Sequence, residues 1–351
     1  MIKRPRSAFS SSELKSQVIF KKRQMPPTVQ PGGFWTDRGG KRVGPLSFIL
    51  PDGHEDENLF EDIRAPGRAY FRAKGIPWHS DDADRPSGHL LDSQVFCVNF
   101  LFPFVREPQA LFELIRRIYP EAQEVLELAS GEGHVAFEWI GDEDHLGEWP
   151  EGGLPTRGSM ATSADAALRF RRKDGLVHAV LIEWKYTESY PPSEDYAPDE
   201  LPYAGQQGST RLKRNYSEIF YEADGPIDSG RVNLLDLFFE PLYQLMRQQM
   251  LAYEMDRHRE LGADIITVLH ISPAHNDALQ LVTPERLRES YPGIPLTSLW
   301  PTLLRPRPDG LPRFKAITTG ALFAAAGHEL PVSLEPWWAY VSDRYAGALL
   351  I

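Results

Sequence analysis

The chain has 351 residues and a formal net charge of −11. This length corresponds to roughly two or three domain-sized units, or to one domain with large insertions. No apolar run reaches the ~18 residues that a membrane helix needs, and a single cysteine, Cys97, excludes an internal disulfide framework and a cysteine-based zinc cluster. The acidic balance argues against a protein coated with positive charge, although it is compatible with a local basic groove.

The N-terminal region, residues 1–87, is rich in Gly, Pro and Asp and has few periodic segments. This composition predicts an irregular, partly disordered region. The first residues are basic but lack the continuous apolar segment of a secretory signal, so the sequence favours a cytoplasmic location.

A folded core is predicted over residues 88–275. The predicted elements are, in chain order, an apolar helix that ends near Pro103, a helix over 107–129, a strand over 134–141, an alternating strand over 162–172, a buried strand over 176–185, a helix over 239–257 and a buried strand over 263–272. Their order is α, β, β, β, α, β, which indicates an α/β class. Residues 188–232, rich in Pro and Tyr, are predicted to form a long excursion, and residues 276–351 a C-terminal extension that packs on the core.

A hairpin signal joins the two central strands. Asp174-Gly175 is a strong turn dipeptide, and a three-residue loop over 173–175 with the glycine in the left-handed region is common. With that loop, Asp165 lies directly opposite Glu183, with Cβ atoms about 5 Å apart. A two-residue loop would pair Asp165 with Trp184 instead. Alternation along the first strand predicts one face formed by Ala164, Ala166, Leu168 and Phe170, and an opposite face formed by Asp165, Ala167, Arg169 and Arg171.

The second strand ends in a carboxylate and an amine on one face. Lys185 lies two residues after Glu183 and shares its face, whereas Trp184 points into the core. With Asp165 opposite, two carboxylates would form a hard, oxygen-rich site for Mg²⁺ (or Mn²⁺), and the lysine would offset the charge that builds on a phosphate. This set suits phosphodiester hydrolysis, and the alternative interpretation is a structural ion pair at a strand end.

The pattern Asp165…Glu183-Trp184-Lys185 in an αβββαβ order resembles the PD-(D/E)xK nuclease superfamily, with its restriction-endonuclease-like fold. The segments LLDSQVFCVNFLFP, TSADAALRF, LIEWKYTESY and PLYQLMRQQMLA together resemble a bacterial restriction-endonuclease-like family over roughly residues 88–272. The resemblance implies a mixed central sheet flanked by helices, Mg²⁺-dependent cleavage of DNA, and a role in restriction or defence against foreign DNA. In that scheme Asp165 and Glu183 are metal ligands and Lys185 is the catalytic lysine, and Ala164 stands where the superfamily name has proline.

Many such nucleases also use a glutamate from the first helix or the first strand. The candidates are Glu113, Glu127 and Glu138. We prefer Glu138 as a further catalytic residue because it would lie in the strand beside the hairpin. The alternative is an ordinary glutamate that faces solvent.

Two stripes of the helix over 239–257 could face the site. Gln244 and Arg247 share one stripe, and an arginine suits a phosphate contact. Gln249 and Tyr253 match a Gln-x-x-x-Tyr motif of RecB-like nucleases on another stripe. We favour Gln244 and Arg247 as nucleic-acid contacts, with a solvated polar face as the alternative.

DNA is the partner that the resemblance implies. Arg169 and Arg171 on the Asp165 face, and Arg211 and Lys213 in the excursion, are the expected contacts to its backbone. A homodimer would let two sites cut the two strands of a duplex, and the sequence leaves dimerisation, partner proteins and base recognition open.

Two other functions compete with this one. The apolar segment that precedes Gly131 and Gly133 resembles the first motif of S-adenosylmethionine-dependent methyltransferases, although a turn-rich stretch follows it where that motif needs a helix and a strand. The second alternative is a catalytically silent nuclease-like subunit that only binds. The intact Asp165, Glu183 and Lys185 set argues against it.

Overall fold

A computed structural model describes residues 6–36, 39–80, 82–129, 132–150, 152–153, 155–157 and 161–351, apart from the side chain of Gln207. The helices are α1 (Ala8–Gln24), α2 (Arg64–Lys74), α3 (Ser93–Leu101), α4 (Pro108–Ile118), α5 (Gly205–Leu212), α6 (Tyr216–Tyr221), α7 (Leu242–Arg257), α8 (Glu285–Ser290), α9 (Leu296–Leu299), α10 (Thr319–Ala326) and α11 (Glu335–Arg344). The strands are β1 (Gly33–Thr36), β2 (Arg42–Leu46), β3 (Ala122–Leu126), β4 (Ala136–Trp139), β5 (Ala164–Arg172), β6 (Val177–Trp184), β7 (Ile265–Ser272) and β8 (Phe314–Thr318).

A six-stranded mixed sheet forms the centre of the fold. Its strands follow the order β3-β5-β6-β7-β8, and β4 pairs with the beginning of β5 on the same side as β3. The pairs that involve β5 are antiparallel, whereas β6, β7 and β8 are mutually parallel. Strands β1 and β2 form a separate two-stranded sheet. The architecture is the predicted α/β class and is compatible with a restriction-endonuclease-like core.

The predicted hairpin and its register are confirmed. The Arg172 N–H donates to the Leu176 carbonyl across a three-residue loop (2.8 Å). Gly175 adopts φ 89°, a left-handed conformation that favours glycine. Ala166 pairs with Ile182, as a loop of that length requires.

Each face of the sheet packs against its own hydrophobic cluster. The first cluster includes Leu168, Val180, Ile182 and side chains of α3, α4 and α11. The second includes Ala167, Ala179, Leu181 and side chains of α6, α7 and α9. Because successive strand residues point to opposite faces, β5 and β6 supply both clusters. The ends of these strands are therefore fixed by packing from both sides.

The alternation of β5 breaks at Asp165, which corrects one prediction. Ala164 was expected to share a face with Ala166, but it packs in the second cluster whereas Ala166 packs in the first. The neighbouring strand β4 breaks at the matching place, because Phe137 lies in the first cluster and Trp139 in the second.

The helix predicted over 107–129 divides into α4 and β3. Pro120 explains the division, because a proline disfavours helical backbone at the residue before it. Tyr119 accordingly leaves the helix with φ −126° and ψ 85°. The strand that follows covers the hairpin end of β5.

The N-terminal region contains regular structure where its composition indicates an irregular segment. Helix α1 packs beside α11, and its buried residues include the polar Glu13, Gln17 and Lys21. Gln17 donates to the Tyr186 hydroxyl (3.0 Å) and to the Arg344 carbonyl (2.9 Å). A buried face made of hydrogen-bonded polar groups leaves no apolar periodicity to detect.

Candidate active site

Three adjacent strands bring three carboxylates into one row. Continuing the β5–β6 register places Asp165 opposite Glu183, and continuing the β4–β5 register places Glu138 opposite Asp165. In the parallel β6–β7 pair, Glu183 is the partner of His270. The sheet thus gathers Glu138, Asp165 and Glu183 at the end of β6, where Lys185 follows.

Lys185 and Asp165 hold the end of β6. The Lys185 ammonium lies 2.6 Å from Oε1 of Glu183. Oδ2 of Asp165 accepts a hydrogen bond from the Trp184 N–H (2.6 Å). The Trp184 indole packs against the rings of Phe96 and Phe100 in the core, as predicted. The end of β6 is therefore fixed by the Lys185–Glu183 ion pair, by the hydrogen bond to Asp165, and by packing of the Trp184 ring in the core.

Charge is concentrated in this buried row. Burial, and next the Glu183 charge, raise the pKa of Asp165 well above its usual value. Burial alone would lower the pKa of Lys185, but the neighbouring acids, Glu183 foremost, outweigh it and raise that pKa. The lysine is consequently a cation at neutral pH. At Asp165, burial and the repulsion by the Glu183 charge together outweigh the attraction to Lys185.

Glu138 adopts a strained backbone conformation. Its φ is 48°, a left-handed value that is costly for a non-glycine residue inside a strand. Its carboxylate is buried and accepts from Gln94 Nε2 (2.8 Å) and from the Ser163 hydroxyl (2.7 Å). His79 Nε2 lies 3.8 Å away. The strain coincides with the break in alternation and directs this carboxylate towards α3 and the start of β5.

Several neighbours of the row were not identified from the sequence. Gln94 belongs to the segment LLDSQVFCVNFLFP, and Asp92 in that segment caps α3 by accepting from the Val95 N–H (2.9 Å). Burial raises the pKa of Asp92 to about 6. On the other side, burial and next the Lys185 charge lower the pKa of His270 to about 3, so this imidazole is neutral. An acid before an apolar helix was the available signal for Asp92, whereas the register of β7 was needed to find His270.

The start of α7 lies on the other side of Lys185. Glu240, whose pKa is raised by burial, lies within electrostatic range of Lys185 and Glu183. Among the described residues, buried oxygens of Glu240 (Oε2), Gln244 (Oε1) and Gln248 (Oε1) have no hydrogen-bond partner. Buried polar atoms are normally satisfied, so these oxygens are available to accept from a water or a ligand.

Gln244 and Arg247 of α7 contact Tyr190 and the segment that precedes β5. Gln244 Nε2 donates to the Tyr190 hydroxyl (3.3 Å), and Arg247 Nε donates to the Thr162 hydroxyl (2.7 Å) just before β5. Arg247 also pairs with Glu148 (3.2 Å). On the other stripe, the Tyr253 hydroxyl instead donates to Glu222 beyond α6 (2.9 Å). The Arg247 guanidinium is therefore fixed by two protein partners, Thr162 and Glu148.

The remaining basic candidates differ in position. Arg169 donates to the carbonyls of Glu127 and Leu261, and Arg171 pairs with Glu124 (2.8 Å). Arg169 lies four residues after Asp165 along β5, which separates the two residues by about 13 Å. The structure thus does not bring these two arginines to the row. Their guanidinium groups already have protein partners.

Arg211, in α5, lies next to α7. Arg211 and Arg247 flank the Tyr243 ring, at 4.0 and 5.0 Å from its centroid. Arg211 also donates to the Phe238 carbonyl (3.0 Å). Lys213 follows the helix and is exposed. Arg211 and Arg247 therefore form a basic rim beside Glu240.

The glycine-rich segment before β4 has a packing role. Gly131 lies outside the described residues. Gly133 has φ +77°, and a Cβ there would come within 2.7 Å of the Val105 side chain. No helix lies between β3 and β4 among the described residues, so the context that a methyltransferase motif needs is absent there.

Comparison with known proteins identifies one family. The family model described as Restriction Endonuclease associating with ARP matches residues 18–346, which confirms the restriction-endonuclease-like resemblance. No curated protein and no solved structure matches the chain. In the described part of the chain, no helix has the length and apolarity needed to cross a membrane.

Proposed function

We propose that this chain, which belongs to the family described as Restriction Endonuclease associating with ARP, is a metal-dependent nuclease that hydrolyses phosphodiester bonds in DNA. The observation that carries the proposal is the row Glu138, Asp165 and Glu183 with Lys185 beside it. Membership of the family supports a nuclease-related role.

The donor set fits Mg²⁺. Asp165 uses Oδ2 for the Trp184 N–H and Glu183 uses Oε1 for Lys185, so each retains a second oxygen for a cation. Carboxylate oxygens are the ligands that Mg²⁺ prefers, and a cation between these two acids would relieve their repulsion. When bound, Mg²⁺ would supply a Lewis acid that polarises a phosphate oxygen and favours ionisation of a water. Mn²⁺ suits the same oxygens.

Lys185 acts as a fixed cation. Its pKa is raised, so it donates hydrogen bonds at neutral pH and does not accept a proton. An ammonium held 2.6 Å from Glu183 can contact a non-bridging phosphate oxygen or orient the attacking water. Its backbone N–H donates to the Ile271 carbonyl (2.8 Å), which fixes its position relative to β7.

Glu138 is proposed as the residue that orients the reacting water from the opposite side. Gln94 and Ser163 hold both of its oxygens, and its strained backbone keeps it beside Asp165. Strain that persists at a buried carboxylate is typical of a functional position. Gln94 thereby acts as a positioning residue: its amide nitrogen donates to Glu138, and its amide oxygen accepts from the His79 N–H (2.9 Å).

DNA is proposed as the substrate, with contacts along the rim that α5 and the start of α7 form. Lys213 is exposed, and Arg211 and Arg247 lie near Glu240, which is within electrostatic range of Lys185, so these residues and Gln244 are the proposed backbone contacts. We also extend to this chain the association with ARP that the family's description names, and a role in restriction or defence.

A cleavage assay tests the proposal. The purified chain is incubated with supercoiled plasmid, linear duplex, single-stranded DNA and RNA, each with EDTA, Mg²⁺ or Mn²⁺. We expect Mg²⁺-dependent cutting of DNA that is lost in Asp165→Ala and Glu183→Gln variants that retain the wild-type unfolding transition. Equal cutting by wild type and variants would contradict the assignment. No cutting with or without the ARP partner would favour a subunit that only binds.

A further inference from the structure

A second group of metal-ligating side chains joins the loop after β4 to the end of α7. Glu143 and His145 lie in that loop, and His258 is the residue that ends the helix. One ligand atom of each side chain lies within 4.8 Å of the others. The two imidazole rings are 4.9 Å apart between centroids. Residues distant in sequence therefore present two nitrogens and one carboxylate to a common point.

Hydrogen bonds orient both histidines. His145 Nε2 lies 2.5 Å from Oε1 of Glu260, and His258 Nδ1 lies 2.8 Å from the Glu254 carbonyl oxygen. These contacts leave Nδ1 of His145 and Nε2 of His258 for a ligand. Metal-binding histidines commonly donate their other ring N–H to a carboxylate or a backbone carbonyl, which fixes the tautomer. Here His145 contacts a carboxylate and His258 contacts a backbone carbonyl.

Glu260, which orients His145, is itself fixed by hydrogen bonds. The second oxygen of Glu260 accepts from the Asp142 N–H (3.0 Å), so the Glu260 carboxylate is bonded at both oxygens. The side chain of His145 is 3% exposed, whereas that of His258 is 49% exposed. Glu143 is exposed. The group thus has a rigid, buried side and a side that is open for an ion to enter.

We propose that His145, His258 and Glu143 bind one divalent transition-metal cation of the Zn²⁺ class, with water in the remaining position. Two imidazoles and one carboxylate suit Zn²⁺ and its neighbours, whereas Mg²⁺ prefers oxygen ligands alone. Ligands in a tetrahedral Zn²⁺ site are about 3.4 Å apart. Rotations that move ligand atoms by about 1 Å would close the present separation, and the exposed Glu143 and His258 can make them.

This site is separate from the proposed catalytic row. At about 1.5 Å per residue, the part of α7 between Arg247 and His258 spans about 16 Å. The same loop carries Glu148, which pairs with Arg247 (3.2 Å) and accepts from the Thr162 N–H just before β5 (2.5 Å). A bound metal would therefore tie this loop to α7 and stabilise the segment that leads to Asp165. Its role is structural.

Cobalt titration of the full chain tests the inference. Metal-free protein is titrated with Co²⁺ while its visible absorption is recorded, and Zn²⁺ is then added in competition. We expect one equivalent of Co²⁺ to bind at the histidine site of wild type and of Asp165→Asn alike, and Zn²⁺ to displace it. His258 is 49% exposed, so a His258→Gln variant should keep the fold, and this variant should bind at least about tenfold more weakly.

A matched variant separates specific from adventitious binding. His275 is exposed and lies outside the group, so His275→Gln should bind Co²⁺ like wild type. Zn²⁺ should also raise the thermal unfolding midpoint of wild type and of His275→Gln, but not that of His258→Gln. Equal binding by all three proteins, or no stoichiometric binding by wild type, would overturn the inference. Neither result depends on nuclease activity.

Discussion

Replacing Asp165 by asparagine should stabilise the protein when no divalent metal is present. Asparagine keeps an oxygen that can accept from the Trp184 N–H, but it removes an acid whose ionisation is opposed by burial and by the Glu183 charge. Two unit charges about 5 Å apart repel by about 3 kcal/mol at an effective dielectric constant of about 20. Lost attraction to Lys185 and a weaker hydrogen bond offset about 1–2 kcal/mol of this. The net gain in the free energy of unfolding is about 1–2 kcal/mol.

Thermal unfolding near neutral pH measures the effect. An unfolding entropy of about 2.1 cal/mol/K per residue converts that gain into a midpoint about 1.5–3 °C higher in EDTA. Adding Mg²⁺ at about ten times its dissociation constant should stabilise wild type by about 1.4 kcal/mol, or about 2 °C, and leave Asp165→Asn unchanged. Adding Mg²⁺ should therefore reduce or reverse the difference between the two unfolding midpoints.

An exposed acid provides the control. Asp224 is exposed beyond α6, and Asp224→Asn should match wild type with and without Mg²⁺. The reasoning is refuted if Asp165→Asn is less stable than wild type in EDTA, because Asp165 would then be a net stabilising partner of Lys185. It is equally refuted if Mg²⁺ stabilises both proteins by the same amount.

Three further predictions concern the core, the support of Glu138 and the response to acid. Trp184→Ala should lower the free energy of unfolding by about 3–5 kcal/mol in urea, because Trp184 is 1% exposed in the core, and a loss below about 1 kcal/mol would contradict this. Gln94→Leu should lower the rate constant of DNA cleavage about tenfold with little change in KM, since it frees Oε1 of Glu138; a changed KM alone would argue against positioning. Burial lowers the pKa of His178 to about 3 from 6.5, so the unfolded chain takes up a proton first as the pH falls. Stability should therefore drop below pH 6.5 by about 1.4 kcal/mol per pH unit for this group, and His178→Leu should show a correspondingly shallower decline in acid unfolding.

The centre of the fold could be predicted because local signals and packing agree there. Asp174-Gly175 fixes the loop length, the loop length sets the register, and the register pairs Asp165 with Glu183. Each step is local in the sequence and needs no knowledge of the remaining chain. Lys185 then follows from the period of two residues along a strand.

Other parts of the site depend on contacts that the sequence does not encode locally. The orientation of Glu138 results from a left-handed residue inside a strand, which propensity disfavours. Gln94 reaches Glu138 only because α3 packs across the sheet. His145 and His258 are far apart in the chain, so no spacing rule could pair them. Arg169 and Arg171 lie on the expected strand, but their partners, the carbonyls of Glu127 and Leu261 and the Glu124 carboxylate, come from other parts of the chain.

Single-turnover cleavage of duplex DNA tests the central claim most directly. Lys185→Met removes the ammonium beside Glu183, whereas Lys173→Met removes an equivalent charge from the hairpin loop, where the lysine donates to the Pro120 carbonyl. With Mg²⁺ present, we predict that wild type and Lys173→Met cleave at similar rates and that Lys185→Met loses at least about a hundredfold, the range for removal of one group that stabilises transition-state charge. Cleavage by Lys185→Met at the wild-type rate would contradict a catalytic site at the end of β6.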